Sequence, residues 1–222
     1  MSIREEAARE RKKLKQMTGK DKLWYVWEYY KFHIAAVLVL VCLLGVVCNS
    51  LYRQSFTTRL SFCVINDKSG DTSSFDQLEA GLKEALDCGK KDLIEINAGM
   101  YATYDGSVSQ YSYATMAKIS ALVAGKDLDV MIADQDTIDH YGEAQAFADL
   151  KQLLPQDLYQ AVEDDVYSIP GPDGALRPVA LSLEHTAFHQ ETGVTMAPAY
   201  LAVLDNSGRT EAAVRMIRYL FP

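Results

Sequence analysis

Imidazole, thiol and positive charge are all scarce in this chain, and each scarcity removes a class of function. There are four histidines in 222 residues, and one of them, His33, stands in an apolar run. No G-x-S-x-G elbow, phosphate-cradling glycine loop or paired-cysteine motif occurs. The sequence therefore predicts no enzyme, no resident metal and no cofactor. Four cysteines do not make a disulfide framework. Cys42 and Cys48 fall in the apolar run, Cys63 in a strand-like stretch and Cys88 near the end of a helix-like one. Sequence does not supply the Cys63–Cys88 separation, so a bridge between them stays open. Residues 53–222 hold 13 Lys and Arg against 25 Asp and Glu, a net of −12. Such an acidic domain argues against nucleic-acid binding, which favours basic faces. Internal repeats and low-complexity tracts are absent. At 49% hydrophobic and 23% charged residues, the chain is not a disordered one.

What is present begins with residues 32–52, "FHIAAVLVLVCLLGVVCNSLY", 21 residues without Asp, Glu, Lys or Arg. A helix of that length spans about 30 Å, the thickness of a hydrocarbon core. Residues 1–31 carry nine Lys and Arg against five Asp and Glu, and they end in an aromatic belt that includes Trp24, Tyr25, Trp27, Tyr29 and Tyr30. The positive-inside rule puts that end in the cytoplasm. A cleavable signal peptide would have a shorter basic start and an A-x-A pattern, which "GVVCNS" does not offer. A lipoprotein cysteine at Cys48 would follow a small residue, where Val47 stands. The expected organisation is a cytoplasmic basic and aromatic segment (1–31), a single transmembrane helix (32–52) and an extracytoplasmic domain (53–222). Residues 1–20 read as a polar helix. It is either solvated and stiffened by pairs such as Glu5 with Arg9, or a basic helix lying on anionic lipid.

The outer domain alternates strand-like and helix-like stretches. "RLSFCVIND" places Leu60, Phe62 and Val64 on one side of a strand. Ser74 and Gln77 form an S-x-x-Q capping box before a helix through Leu78, Leu82 and Leu86. "DLIEINAGM" is a second strand, and "SYATMAKISALVAG" a helix stopped by Gly125. "LDVMIAD" is a third strand, apolar enough for burial on both faces. Shorter helical turns follow, then a hairpin-like unit turning at Pro172-Asp173-Gly174. A late strand, "AYLAVLDNS", precedes a final helix that buries Ala213, Ile217 and Leu220. The alternation predicts an α/β layer on a largely parallel sheet.

Two stretches carry a resemblance. "ALVAGKDLDVMIADQDTIDHYGEAQAFADLKQLL", through Asp129, Val130, Asp134, Phe147, Asp149, Leu150, Leu153 and Leu154, is similar to the mid-section of extracellular solute-binding proteins of ABC transporters. "AYLAVLDNSGRTEAAVRMIRYLF", through Asn206, Ser207, Glu211, Ala212, Ala213, Ile217, Tyr219 and Leu220, resembles their return strand and following helix. The resemblance implies a periplasmic-binding-protein-like sheet with flanking helices. Only residues 183–198 separate "RPVALSL" from the return strand, too few for the second lobe of that family. One lobe behind one transmembrane helix is the expectation.

The acidic stretch "ADQDTIDH" holds the main candidate site. Asp134 falls just past a buried strand, at the carboxyl edge where open α/β sheets gather ligands. Asp134 or Asp136 would face a ligand there or would cap the helix beginning near Thr137. Asp139 and His140 point about 100° apart on a helix and do not converge by spacing alone. Tyr101, Tyr104 and Tyr111 would either line that edge and stack on a ligand or cover surface, with Tyr113 in the core. His185 and His189 in "EHTAFH" have a spacing zinc can use on a helix, but no third ligand is evident. The expected function is a binding or protein-interaction module in a bacterial cell envelope. Its expected partners are the membrane and an envelope protein or transporter component. The alternative is a receptor for a small solute, a sugar, amino acid or peptide, serving an ABC transporter.

Overall fold

The computed structural model describes residues 19–70, 73–104, 109–172 and 174–222. Residues 1–18 of the expected polar helix and Asp173 of the expected turn lie outside them. The chain divides into two compact units, Met1–Ser55 and Phe56–Pro222.

The first unit contains one long helix, α1 (Gly19–Gln54), of 36 residues. Its segment Lys31–Tyr52 is long and apolar enough to cross a membrane, a property shared by anchors and signal sequences. The stretch carrying the aromatic belt is thus continuous with the apolar run in a single helix.

The second unit is a six-stranded sheet with helices on both faces. Its elements are β1 (Thr57–Ile65), α2 (Asp76–Ala85), β2 (Asp92–Met100), α3 (Gln110–Ala124), β3 (Val130–Ala133), α4 (Gln135–Glu143), α5 (Leu150–Leu153) and α6 (Gln156–Ala161). A 3-10 turn (Glu163–Asp165) then leads to β4 (Val166–Pro170), β5 (Leu176–Ser182), α7 (Phe188–Thr192), β6 (Tyr200–Val203) and α8 (Thr210–Leu220). The strand order is β2-β1-β3-β6-β5-β4. β1 pairs in parallel with β2 and with β3, because α2 and α3 provide the crossovers that parallel pairs need. The β3–β6, β6–β5 and β5–β4 pairs are antiparallel. The sheet is therefore mixed, where the alternation of elements predicts a largely parallel one. The difference arises in the second half, where a tight turn joins β4 to β5 and β6 re-enters the middle of the sheet. In that turn the Gly171 amide donates to Ala175 O at 2.7 Å and Gly174 takes φ +77°.

Period-2 patterning splits the strands between two cores. Leu60, Phe62 and Val64 of β1 and Val130 and Ile132 of β3 face α2 and α8, joining Leu78, Leu82, Ala213, Met216 and Ile217. Cys63 and Ile65 of β1 and Met131 and Ala133 of β3 face the other way, against Ile119, Ile138 and Phe147. All four residues of β3 are buried, as its apolar run predicts. Ala213, Met216, Ile217 and Leu220 form the buried stripe of α8, at i, i+3, i+4 and i+7. Met216, Ile217 and Leu220 each contribute about 1.5–3 kcal/mol when fully buried.

Two local expectations are corrected, the Ser74–Gln77 box and Tyr113 in the core, while the stop at Gly125 is found and the open Cys63–Cys88 question is settled. α2 begins after Phe75 with no side-chain cap; Ser74 Oγ accepts from the Asp76 amide at 3.4 Å, so the Ser74–Gln77 box does not form. α3 ends at Gly125, but Gly125 stays right-handed (φ −75°) and Lys126 takes the left-handed turn (φ +58°). Tyr113 is 72% exposed and not in the core. Cys63 and Cys88 are both free thiols, and they pack against different cores on opposite faces of the sheet.

Candidate functional site

Backbone chemistry at the ends of three strands builds the site. β1 stops at Asn66, which takes a left-handed conformation (φ +66°). Asn tolerates that region better than most residues because its short amide can bond locally. Here the amide holds the sheet edge together. Asn66 Nδ2 donates to Ala102 O at 2.9 Å, to Asp134 Oδ2 at 2.9 Å and to Thr137 Oγ1 at 3.1 Å. Asn66 Oδ1 accepts from the Ala102 amide at 2.8 Å. One side chain thus ties the carboxyl ends of β1, β2 and β3.

Asp134 is the N-cap of α4: Oδ1 accepts from the Thr137 amide at 3.2 Å, while Oδ2 is held by Asn66. The capping alternative describes Asp134, and both its oxygens are engaged by the chain. Asp136 is exposed in the first turn of α4, where a carboxylate complements the helix dipole.

Above this edge lies a groove of about 580 Å³, lined by Asn66, Lys68, Tyr101, Ala102, Thr103, Tyr104, Asp134, Asp136, Asp139, His140 and Glu143. Lys68, Tyr101, Thr103, Asp136, His140 and Glu143 are exposed, so the groove is open on one side. Tyr104 and His140 stack with ring centroids 4.0 Å apart, and Tyr141 meets both edge-on. Burial pushes the Tyr104 phenol above its ordinary value, so it stays protonated at neutral pH. A second hollow of about 290 Å³, lined by Asp139, Glu143, Tyr167, Ser168, Ile169 and Pro170, shares the Asp139–Glu143 ridge. Tyr167 Oη donates to Asp139 Oδ1 at 2.8 Å. Burial and that hydrogen bond push the Tyr167 phenol up to about 12.

Of the sequence candidates, Asp134, Asp136, Tyr101 and Tyr104 meet in the groove. Tyr111 stands beside it, its ring 6.2 Å from that of Tyr101 and its hydroxyl donating to Gly99 O at 2.7 Å. Asp139 and His140, which spacing alone does not bring together, both line the groove because Asp136, Asp139, His140 and Glu143, at i, i+3, i+4 and i+7, share one face of α4. Sequence reasoning misses Asn66, Lys68 and Glu143. The Asn that closes the first apolar strand is the signal that points to the left-handed turn. His185 and His189 do not converge. His185 lies outside α7 and bonds Asp165 Oδ1 at 2.9 Å, while His189 Nδ1 bonds Val194 O. Among the described residues no cluster of three or more His, Cys, Asp or Glu forms a metal site.

Other residues that carry the resemblance, Asp129, Asn206 and Ser207, have a structural role at the opposite end of β3. Asp129 is fully buried, and its carboxylate accepts from the Ser61 amide (2.8 Å), Ser207 Oγ (2.6 Å) and Arg209 Nε (2.7 Å). Asn206 Nδ2 donates to Val123 O at 2.7 Å, and Phe147 bridges Leu204. The two stretches are thus joined as structural neighbours. No family model, no curated protein and no solved structure matches the chain.

Proposed function

We propose that this protein is a single-pass, membrane-anchored interaction module. Its amino end is cytoplasmic, and its outer domain is an extracytoplasmic relative of one lobe of a solute-binding protein. The observation that carries this reading is the solvent-open groove at the carboxyl edge of the sheet. Small-ligand sites enclose most of their ligand. This groove has a floor of Asn66, Ala102 and Tyr104, but its rim residues stand in solvent. A protein partner covers its open side. Asp134, the carboxylate best placed for solute capture, is used by Asn66 and Thr137. The joining of residues 129–134, 147 and 200–207 across β3 and β6 supports the one-lobe resemblance. The basic first segment and acidic outer domain support the orientation.

The second reading is a small-solute receptor, favoured by the aromatic faces of Tyr101 and Tyr104 in the groove. Photo-crosslinking from Thr103 in native membranes separates the two. One protein adduct of defined mass supports the module. Its absence, together with micromolar thermal stabilisation by a sugar or amino acid that disappears in Asp136→Asn, overturns it. Protease added to intact, wall-stripped cells should remove residues 56–222; full protection sinks the orientation.

A further inference from the structure

The edge of the sheet nearest the groove is unfinished. β2 is the terminal strand, with β1 as its one neighbour among the described residues. It is nine residues long, "DLIEINAGM", and contains none of the Pro, Lys or Arg residues that commonly block edge pairing. The Lys91 carbonyl turns inward to the Thr57 amide, so strand alternation sends the peptide groups of Asp92, Ile94, Ile96 and Ala98 outward. Outside α1, the described residues include five large hydrophobic side chains exposed to solvent. Three of them, Leu93 (37%), Tyr101 (37%) and Tyr111 (55%), lie along this strand or just beyond its end. Tyr101 and Tyr111 lead from the strand edge into the groove, which Tyr101 lines.

Charge decides what fits there. Among the described residues, four carboxylates line the groove, Asp134, Asp136, Asp139 and Glu143, against one lysine, Lys68. With Asp134 engaged by Asn66 and Thr137, and one oxygen of Asp139 held by Tyr167, Asp136, Glu143 and the other oxygen of Asp139 remain, at i, i+7 and i+3 on one face of α4. β2 itself adds Asp92 and Glu95 and no cation. A second copy of this chain would bring the same carboxylates to the edge, and like charges across a strand pair destabilise it.

We propose that the open edge of β2 and the adjoining groove form one docking surface for an extended, basic polypeptide segment of another protein. The segment adds to the sheet as a seventh strand, its main chain pairing with the outward groups of Asp92, Ile94, Ile96 and Ala98. Where it passes Tyr101 it sets a Lys or Arg side chain over the Tyr104–His140 stack, against Asp136, Asp139 and Glu143. This proposal rests on the interaction-module reading and names the partner's chemistry.

The test uses the full chain in nanodiscs of zwitterionic lipid and three labelled nine-residue peptides, read by fluorescence anisotropy. One peptide alternates Val and Lys, one alternates Val and Glu, and one is the Lys peptide with alternate backbone nitrogens methylated. The Lys peptide should bind at least about tenfold more tightly than the other two. Its affinity should fall about tenfold in the double variant Asp136→Asn, Glu143→Gln, with thermal stability unchanged. Equal binding of Lys and Glu peptides, indifference to backbone methylation, or no binding of any peptide overturns the proposal. Photo-crosslinking from Thr103 then separates the two ideas. A protein adduct with no peptide binding sinks the strand-addition proposal alone. No adduct and no peptide binding sinks both.

Discussion

Arg209 Nε donates to Asp129 Oδ2 at 2.7 Å, and the carboxylate it meets is fully buried while the guanidinium is one-quarter exposed. The pair closes the amino-terminal end of β3 against the loop that follows β6. Replacing Asp129 leaves the Ser61 amide and Ser207 hydroxyl without their acceptor as well as freeing Arg209. Asp129→Ala should therefore destabilise the second unit by about 3 kcal/mol or more. Both tryptophans lie in α1, so the measurement is thermal unfolding followed by near-UV circular dichroism of the tyrosines. A loss under about 1 kcal/mol would mean that water replaces these bonds without cost.

Gly142 of α4 packs against Ile169 of β4. A Cβ there would stand 2.3 Å from Ile169 Cδ1. Ile169 is buried, so the clash cannot be relieved by swinging into solvent. Gly142→Ala should cost about 1–3 kcal/mol. Ile169→Val removes that Cδ1 atom and should cost about 0.5–1.5 kcal/mol alone. The double variant should be more stable than the sum of the two single losses; strict additivity would refute the contact.

Asp67 links the end of β1 to the segment before β6. Burial works to raise its pKa, but hydrogen bonds from the Ser69 hydroxyl, the Thr195 amide and the Ser73 hydroxyl outweigh burial and hold it below the ordinary value of 3.8. A carboxyl lowered on folding contributes stability above its unfolded pKa and loses that contribution as pH falls through the folded one. The melting temperature of the wild type should therefore exceed that of Asp67→Asn at pH 6, with the gap closing below pH about 4. A gap that stays constant down to pH about 2 would contradict the assignment.

Cys63 is fully buried, and burial pushes its thiol up to about 12. Cys88 is partly exposed, and its thiol is also raised, by burial and by the nearby Asp92 carboxylate. A membrane-impermeant maleimide should modify Cys88 slowly in the folded protein and Cys63 only in denaturant, as read by peptide mass mapping. Modification of Cys63 under native conditions would show that the core around β1 opens.

Much of the layering is legible in the sequence because it is local. The alternation of Leu60, Phe62 and Val64, the apolar run of β3 and the stripe of α8 each follow from one periodicity, and each is found as read. Asp134 as a helix cap is legible for the same reason. What is not legible depends on partners far away in sequence. Strand direction in the second half depends on how β6 returns. Tyr113 has helical spacing for burial, yet the side of α3 it occupies is uncovered. Asn66 gains its role from Ala102, Asp134 and Thr137, 36 to 71 positions on, and no local pattern announces that meeting. The groove is legible in its location, at the end of β3, and only half so in its composition.

β1 follows the end of α1 after two residues and is flanked on both sides by parallel strands. A pull on the second unit through residues 55–56, applied along β1, would load that strand lengthwise. Two ladders would then resist in shear, their bonds sharing the load and not parting one after another.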